Sequence, residues 1–351
     1  MKKIMITGAR GFAGRSLTEY FSGKPGTFEV LALSHSQLSL LDGDAVLETV
    51  KREKPDVIIN CASEGGSRKS GYQDGDTVLS HNLRMFFNLE RALSGGAVLI
   101  NFGSGAQYDK NRDLVKVRED SLGEHMPRDP YGFGKYVLSS FAGASENIIA
   151  PAIFGLFGEH EDYTYKFISN ACVKNMLGMD ITVNQNVRFD YLYIADFVRI
   201  IERLALCPEL VRHRVFNITP TDSLTLLEAA ELINEVGVHR SDIVVKNPGM
   251  NYEYTGDNSY LLENLGGSFD FTPAREAVSD LYRRLYARLD TLDLEKVKQD
   301  AAAAFCVTKQ EPCGTAQGPD EGTQGSASAA QGPGEGTQGS VSTTQSPGGG
   351  A

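Results

Sequence analysis

The chain has 351 residues, 41% of them hydrophobic and 9% aromatic, enough for one large or two coupled domains with a real core. Its formal net charge of -11 argues against a general nucleic-acid binder, which needs Lys and Arg to neutralise phosphates. No apolar run approaches the roughly 20 residues of a membrane helix, and the five cysteines (Cys61, Cys172, Cys207, Cys306, Cys313) fit no zinc spacing.

The first predicted element is a short apolar strand, Lys3–Thr7. It leads into the stretch Met5 to Ser16, MITGARGFAGRS, with glycines at 8, 11 and 14. Glycines in that rhythm let a phosphate approach the backbone with no Cβ in the way. The helix that follows offers its positive end and unpaired N–H groups to a pyrophosphate. Strand, glycine turn and helix in this order are the context of a dinucleotide fingerprint. The strand starts at the N-terminus and leaves no room for a signal peptide, so a reducing, cytoplasmic setting is expected.

Further strands are predicted at Phe28–Leu33, Val57–Asn60, Ala97–Phe102 and Asn147–Ala150. Helices fit at Ala13–Phe21, Ala45–Lys54, Thr77–Leu93 and Pro130–Ala144. This alternation implies an α/β fold with a doubly wound parallel sheet over residues 1–150. Residues 151–294 read as a smaller α/β substrate lobe that lends some elements to the first domain. Its helices are expected at Tyr165–Leu177, Ile194–Leu206, Leu224–Glu235 and Arg275–Leu289, its strands at Ile181–Val183, Tyr191–Ile194 and Val215–Ile218. Residues 295–351 are low in complexity: AQGPDEGTQGSAS at 316–328 recurs as AQGPGEGTQGSVS at 330–342. Such a segment cannot bury a core and is expected to be a disordered tail.

Two further clusters carry chemistry. Tyr131 and Lys135 stand four apart on a predicted helix and so share a face. An ammonium near a phenol favours the phenolate, which would let Tyr131 exchange a proton near neutral pH. Ser104 follows the strand Ala97–Phe102, at the carboxyl end of the sheet where ligands bind in such folds. Its hydroxyl could bond the same substrate oxygen that Tyr131 protonates.

Together the glycine stretch, Ser104, Tyr131 and Lys135 resemble the extended short-chain dehydrogenase/reductase family, also described as the NAD-dependent epimerase/dehydratase family. The resemblance covers about residues 1–290. It implies a Rossmann domain, an NAD or NADP cofactor, a nucleotide-diphosphate sugar as substrate, and a homodimer. It also implies that Tyr131 is the acid/base, that Ser104 orients the substrate oxygen, and that Lys135 holds the ribose and tunes Tyr131. Asn60-Cys61-Ala62 matches the family's Asn-x-Ala motif, and Asn82 its Asn on the next helix. Phe157-Gly158 is similar to its Tyr-Gly pair, with Gly155 where an Asn is usual. Phe189-Asp190-Tyr191-Leu192-Tyr193-Ile194 resembles its Arg-Asp-Tyr-Ile-Tyr-Val segment, with Arg188 one place before the usual Arg. Gly8, Arg10, Gly11, Phe12, Gly14, Ser34, Asp42, Cys61, Ala62, Ser63, Asn82, Tyr131 and Lys135 are the expected cofactor contacts. Ser104, Asn170 and Arg188 are the expected substrate contacts, Arg188 for the diphosphate.

Within the family, SHSQLSLLD (34–42) and CASEGG (61–66) resemble the GDP-fucose synthases. Their epimerisation Cys corresponds to Ala106 here, and their epimerisation His falls near Thr164. The acidic pair of the 4,6-dehydratases corresponds to Gly105 and Ala106. What remains is chemistry that needs only the three residues and the cofactor: 4-keto reduction with NADPH, or 4-epimerisation with bound NAD. A non-catalytic dinucleotide sensor is the alternative outside enzymology, and the intact Tyr131–Lys135 pair argues against it. The second strand ends Leu33-Ser34-His35-Ser36 with no acid to hold a ribose 2′-hydroxyl, and Arg10 stands in the glycine turn, so NADP is expected over NAD.

Overall fold

The computed structural model describes residues 1–65 and 75–299. The elements in order are β1 (Lys2–Thr7), α1 (Phe12–Ser22), β2 (Phe28–Leu33), α2 (Gly43–Glu53), β3 (Val57–Asn60), α3 (Gly75–Ala92), β4 (Val98–Asn101), β5 (Gly103–Ser104), β6 (Leu114–Val117), α4 (Pro130–Gly143), β7 (Ile148–Ile153) and β8 (Gly155–Phe157). There follow α5 (Phe167–Met176), β9 (Ile181–Asn186), β10 (Arg188–Phe189), β11 (Tyr191–Tyr193), α6 (Ile194–Leu206), β12 (Val215–Ile218), β13 (Leu224–Thr225), α7 (Leu226–Val236), β14 (Ile243–Met250), β15 (Tyr254–Gly256), α8 (Ser259–Asn264) and α9 (Ala274–Tyr286).

The central sheet has seven strands in the order β12-β7-β4-β3-β1-β2, with β5 also paired to β7. Every pairing in it is parallel. Side chains alternate between its faces. Ile4, Ile6, Val57, Ile59, Ile100 and Ile149 pack on one side against α1, α6 and the later helices. Met5, Ile58, Leu99 and Ile148 pack on the other, with Val46, Val50, Phe86, Leu89 and Leu138 of α2, α3 and α4. With both faces covered, the strands read as continuous apolar runs, as expected. The chain builds outward from β1 to β2 on one side and to β3 on the other, so the carboxyl ends of β1 and β3 border a switch point, where α/β sheets bind ligands.

Residues after 150 contribute to the central sheet as well as forming two-stranded sheets of their own. β12 joins the central sheet, and β7 continues to Ile153. A four-stranded sheet, β13-β10-β15-β6, combines β6 from the first segment with three strands from the second. The β8–β11 and β9–β14 pairs complete the architecture. Helix starts follow local chemistry. Asp42 caps α2 by accepting from Ala45 N–H, Asp129 caps α4 ahead of Pro130, and Thr225 and Glu228 form a capping box on α7.

Residues 294–299 are helical, and Val297 is fully buried against the core. Packed chain therefore continues past position 294, where the low-complexity segment was expected to begin. The two repeats, Cys306 and Cys313 lie outside the described residues. Among the described residues, no helix is long and apolar enough to cross a membrane, and no three His, Cys, Asp or Glu side chains gather to hold a metal.

Candidate active site

The glycine turn is shaped by two close approaches. Gly8 has φ +66°, and a Cβ there would stand 2.6 Å from the Ala62 nitrogen. A Cβ on Gly14 would stand 2.3 Å from the Gly8 carbonyl oxygen. These two glycines let α1, the end of β1 and the loop after β3 close on one another. Gly11 is different, because its Cβ would meet only the Gly8 oxygen, at an ordinary 3.4 Å. Gly11 is the N-cap of α1, which starts with no side-chain cap and no acid in its first turn. A helix end left bare in this way fits the pyrophosphate of a dinucleotide. Phe12, the first residue of α1, reaches Gly158 across the cleft: a Cβ on Gly158 would lie 3.4 Å from its ring and 2.3 Å from Ile194.

Polar side chains tie the neighbouring strand ends together. Thr7 donates to Asn60 Oδ1 at 2.7 Å, and Asn60 Nδ2 donates to Asn101 Oδ1 at 2.7 Å. Asn60 Oδ1 also accepts from Ala62 N–H at 3.1 Å, which sets the course of the Cys61-Ala62-Ser63 loop. Asn82, from α3, accepts from Glu64 N–H and donates to its carbonyl, both at 2.9 Å, and also accepts from the Ser63 hydroxyl at 3.3 Å. The Asn-x-Ala motif and Asn82 therefore shape one loop.

At the carboxyl end of β2, Ala9 N–H donates to the Leu33 oxygen at 3.2 Å. That bond brings Arg10 and Ser34 to adjoining positions. Arg10 is exposed. Ser34 is buried, and its hydroxyl donates to Gln37 at 2.7 Å and meets Ser36 at 3.0 Å. Asp42, expected near the adenine, has one carboxylate oxygen engaged as the α2 cap.

Ser104, Tyr131 and Lys135 come together. Ser104 closes β5 and accepts from Ala106 N–H at 3.2 Å. The Asp129 cap and Pro130 start α4 so that Tyr131 lies in its first turn, with its phenol in reach of the Ser104 side chain. Lys135 is buried, its Nζ lies 5.6 Å from the Tyr131 ring centroid, and it donates to the Phe102 carbonyl at 2.7 Å. Burial lowers its pKa to about 8. One expectation is corrected here. The Tyr131 pKa is raised, not lowered: burial dominates, Asp129 adds to it, and only Ser104 opposes it. The Lys135 ammonium points at a carbonyl and does not offset the loss of water around the phenol.

The remaining expected contacts are placed less favourably. Arg188 Nη1 donates to the Ser223 carbonyl at 3.2 Å and lies 3.7 Å from Glu228. It would have to leave these to grip a diphosphate. Asn170 donates to the Tyr163 carbonyl at 3.1 Å. Gly155 has no room for the Asn usual at its position, since a Cβ would lie 2.5 Å from the Asp190 oxygen.

Two residues that the sequence reading passed over belong to this region. Asp190 is fully buried; its carboxylate accepts from Thr219 and from Gly256 N–H, with Lys116 Nζ 3.5 Å away. Tyr254 stands between Phe154 and Phe189, ring centroids 5.0 and 5.2 Å away, and its hydroxyl also reaches Ser104. Asp190 lies in the Phe189–Ile194 segment matched to the family motif, which gave it no role, and Tyr254 falls in no motif; both act through contacts far apart in the chain.

A model of the NAD dependent epimerase/dehydratase family matches residues 4–219. The chain belongs to that family. It is accordingly an NAD(P)-dependent enzyme of the epimerase/dehydratase type, as the motifs implied. The GDP-6-deoxy-D-talose 4-dehydrogenase of Aggregatibacter actinomycetemcomitans is 23% identical over 296 residues, 80% of this chain and 97% of that one. The GDP-L-fucose synthase of Azorhizobium caulinodans is 24% identical over 260 residues, 67% of this chain and 80% of that one. Among solved structures, a GDP-L-fucose synthetase from Naegleria fowleri bound to NADP superposes with a TM-score of 0.71 at 17% identity. That match covers 83% of this chain and 94% of the other. The doubly wound sheet is thus the fold this epimerase/dehydratase member shares with its structural neighbours.

Proposed function

We propose that this chain is an NADPH-dependent reductase of a 4-keto nucleotide-diphosphate sugar. The observation that carries the reading is the convergence of Ser104, Tyr131 and Lys135 beside Gly105 and Ala106, which bring neither thiol nor carboxylate. Dehydration and C3/C5 epimerisation need such groups, whereas transfer at C4 does not. The names of the two relatives make a GDP sugar the first substrate to try.

A nicotinamide dinucleotide whose pyrophosphate sits at the Gly8–Gly14 turn would supply the hydride for C4. The protein's own part is at O4. Ser104 fixes the carbonyl oxygen, and Tyr131 gives it a proton as negative charge develops. A phenol whose pKa is raised by burial holds its proton at neutral pH and is therefore suited to donate it. Lys135, fixed to the Phe102 carbonyl, keeps a positive charge near the ring as Tyr131 becomes a phenolate.

We also propose a homodimer formed through α3 and α4. Phe133 and Phe141 of α4 are 36% and 39% exposed, and Phe141 packs edge-on to Phe86 and Phe87 of α3. The free thiols Cys61, Cys172 and Cys207 support a reducing, cytoplasmic setting.

The test follows NADPH absorbance with a 4-keto-6-deoxy GDP-hexose. NADPH should be consumed, and Tyr131→Phe should cut turnover by about 10²–10⁴ while leaving NADPH affinity unchanged. C4 inversion of a GDP-hexose without net NADPH use would instead make the protein a 4-epimerase with bound NAD.

A further inference from the structure

Ser104 Oγ has one hydrogen to give and two lone pairs to fill. Ala106 N–H fills the first lone pair at 3.2 Å. Two phenols face the same oxygen, Tyr131 from α4 and Tyr254 from β15. Tyr254 is held there from both ends of its strand. Asp190 N–H donates to the Tyr254 carbonyl at 3.3 Å, and the Asp190 carboxylate accepts from Gly256 N–H at 2.8 Å. Phe154 and Phe189 fix the ring. Gly105 makes the space: a Cβ there would stand 2.5 Å from the Tyr254 hydroxyl. The position at which a dehydratase would carry an acid is thus filled by a phenol from a distant strand.

We propose that Tyr254 is a positioning residue whose phenol donates to Ser104 Oγ and so turns the Ser104 hydrogen toward the Tyr131 oxygen and the substrate oxygen. Burial pushes the Tyr254 pKa up, so it stays protonated and acts as a donor, never as the base. With both Ser104 lone pairs filled, the Ser104 hydrogen has only acceptors on the substrate side, and a phenolate on Tyr131 is stabilised. The ionisable groups facing Tyr131 are Asp129 at the start of its own helix, Lys135 across its ring and Tyr254; Lys110 lies 3.5 Å from Asp129. The substrate part of this inference rests on the reductase reading; the Ser104–Tyr131 part does not.

The test is Tyr254→Phe, which keeps the ring and removes only the hydroxyl. Tyrosine labelled with ¹³C at Cζ is titrated by NMR across the alkaline range, with Tyr131→Phe identifying the Tyr131 signal. The Tyr131 midpoint should rise by about half to one pH unit, and kcat should fall ~10-fold with KM for NADPH unchanged. Gly105→Ala, which displaces the Tyr254 hydroxyl without removing it, should move the Tyr131 midpoint in the same direction. An unchanged Tyr131 midpoint in both variants overturns the proposal, whether or not any sugar is reduced. Loss of reductase activity in the wild type with the midpoint shift intact would overturn the substrate reading alone.

Discussion

The Ser169 hydroxyl donates to Glu161 Oε2 at 2.6 Å, in a place where both side chains are buried. Burial dominates the Glu161 environment and raises its pKa to about 8, with Ser169 and Lys166 opposing. A folded pKa above the unfolded one means that the native state binds the extra proton between the two values. Stability is then full below about 4.5 and declines as the pH rises toward 8. Glu161→Gln should remove that decline. Unfolding free energies from denaturant titrations at pH 5 and pH 8 should differ in the wild type, by up to roughly 4 kcal/mol, and nearly coincide in the variant. Equal slopes in both proteins would show that Glu161 is not the group responsible.

Gly11 and Gly14 should separate binding from folding. Gly14→Ala forces a carbon to 2.3 Å from a backbone oxygen, so it should lower the melting temperature by several degrees as well as NADPH affinity. Gly11→Ala meets nothing closer than 3.4 Å and adopts an ordinary φ of -73°. It should leave the melting temperature within about a degree and still weaken NADPH at least tenfold, because its methyl would face the pyrophosphate. Calorimetric melting and fluorescence titration decide both. Unaltered NADPH binding in Gly11→Ala would place the phosphates elsewhere.

Arg10 should set cofactor choice. It adjoins the neutral end of β2 across the Ala9–Leu33 hydrogen bond. Arg10→Ala should raise the NADPH dissociation constant by about tenfold and leave that of NADH nearly unchanged, the loss of one charged contact to phosphate. Equal weakening of both would assign Arg10 to the pyrophosphate and remove the basis for NADP preference.

The glycine turn, the Ser104–Tyr131–Lys135 group and most of the central sheet were legible in the sequence because each is written locally. A strand's apolar run, a helix period or a glycine spacing needs no knowledge of distant residues. The short strands β8, β10 and β13 were not, since two or three residues carry no period. β14 was missed because Pro248 and Gly249 interrupt it and it is exposed along most of its length. Tyr254 and Asp190 were invisible as site residues because their meaning lies in contacts with Ser104 and Gly256. The direction of the Tyr131 pKa was misjudged because spacing reveals the nearby Lys135 but not the loss of water around the phenol.

Two truncations should behave differently. Ending the chain after residue 304 removes the low-complexity segment with its two repeats and should leave melting temperature and activity unchanged. Ending it after 294 also removes the buried Val297 and should lower the melting temperature by a few degrees, in line with about 1.5 kcal/mol of lost burial. Identical melting curves would show that Val297 adds nothing to the core.

The strand β12 has a consequence for how the protein is made. β7 is complete at Ile153, but its outer partner begins only at Val215. At a synthesis rate of about 5–20 residues per second, the nascent sheet waits several seconds with one edge of β7 unpaired. That edge is Ile-Ile-Ala-Pro-Ala-Ile, apolar and open to pairing with another chain. Pro151 does not blunt it, because Ala150 N–H is the group that donates across this edge, to the Arg214 oxygen, and the neighbouring proline nitrogen faces the β4–β5 side; the template is covered only when β12 arrives.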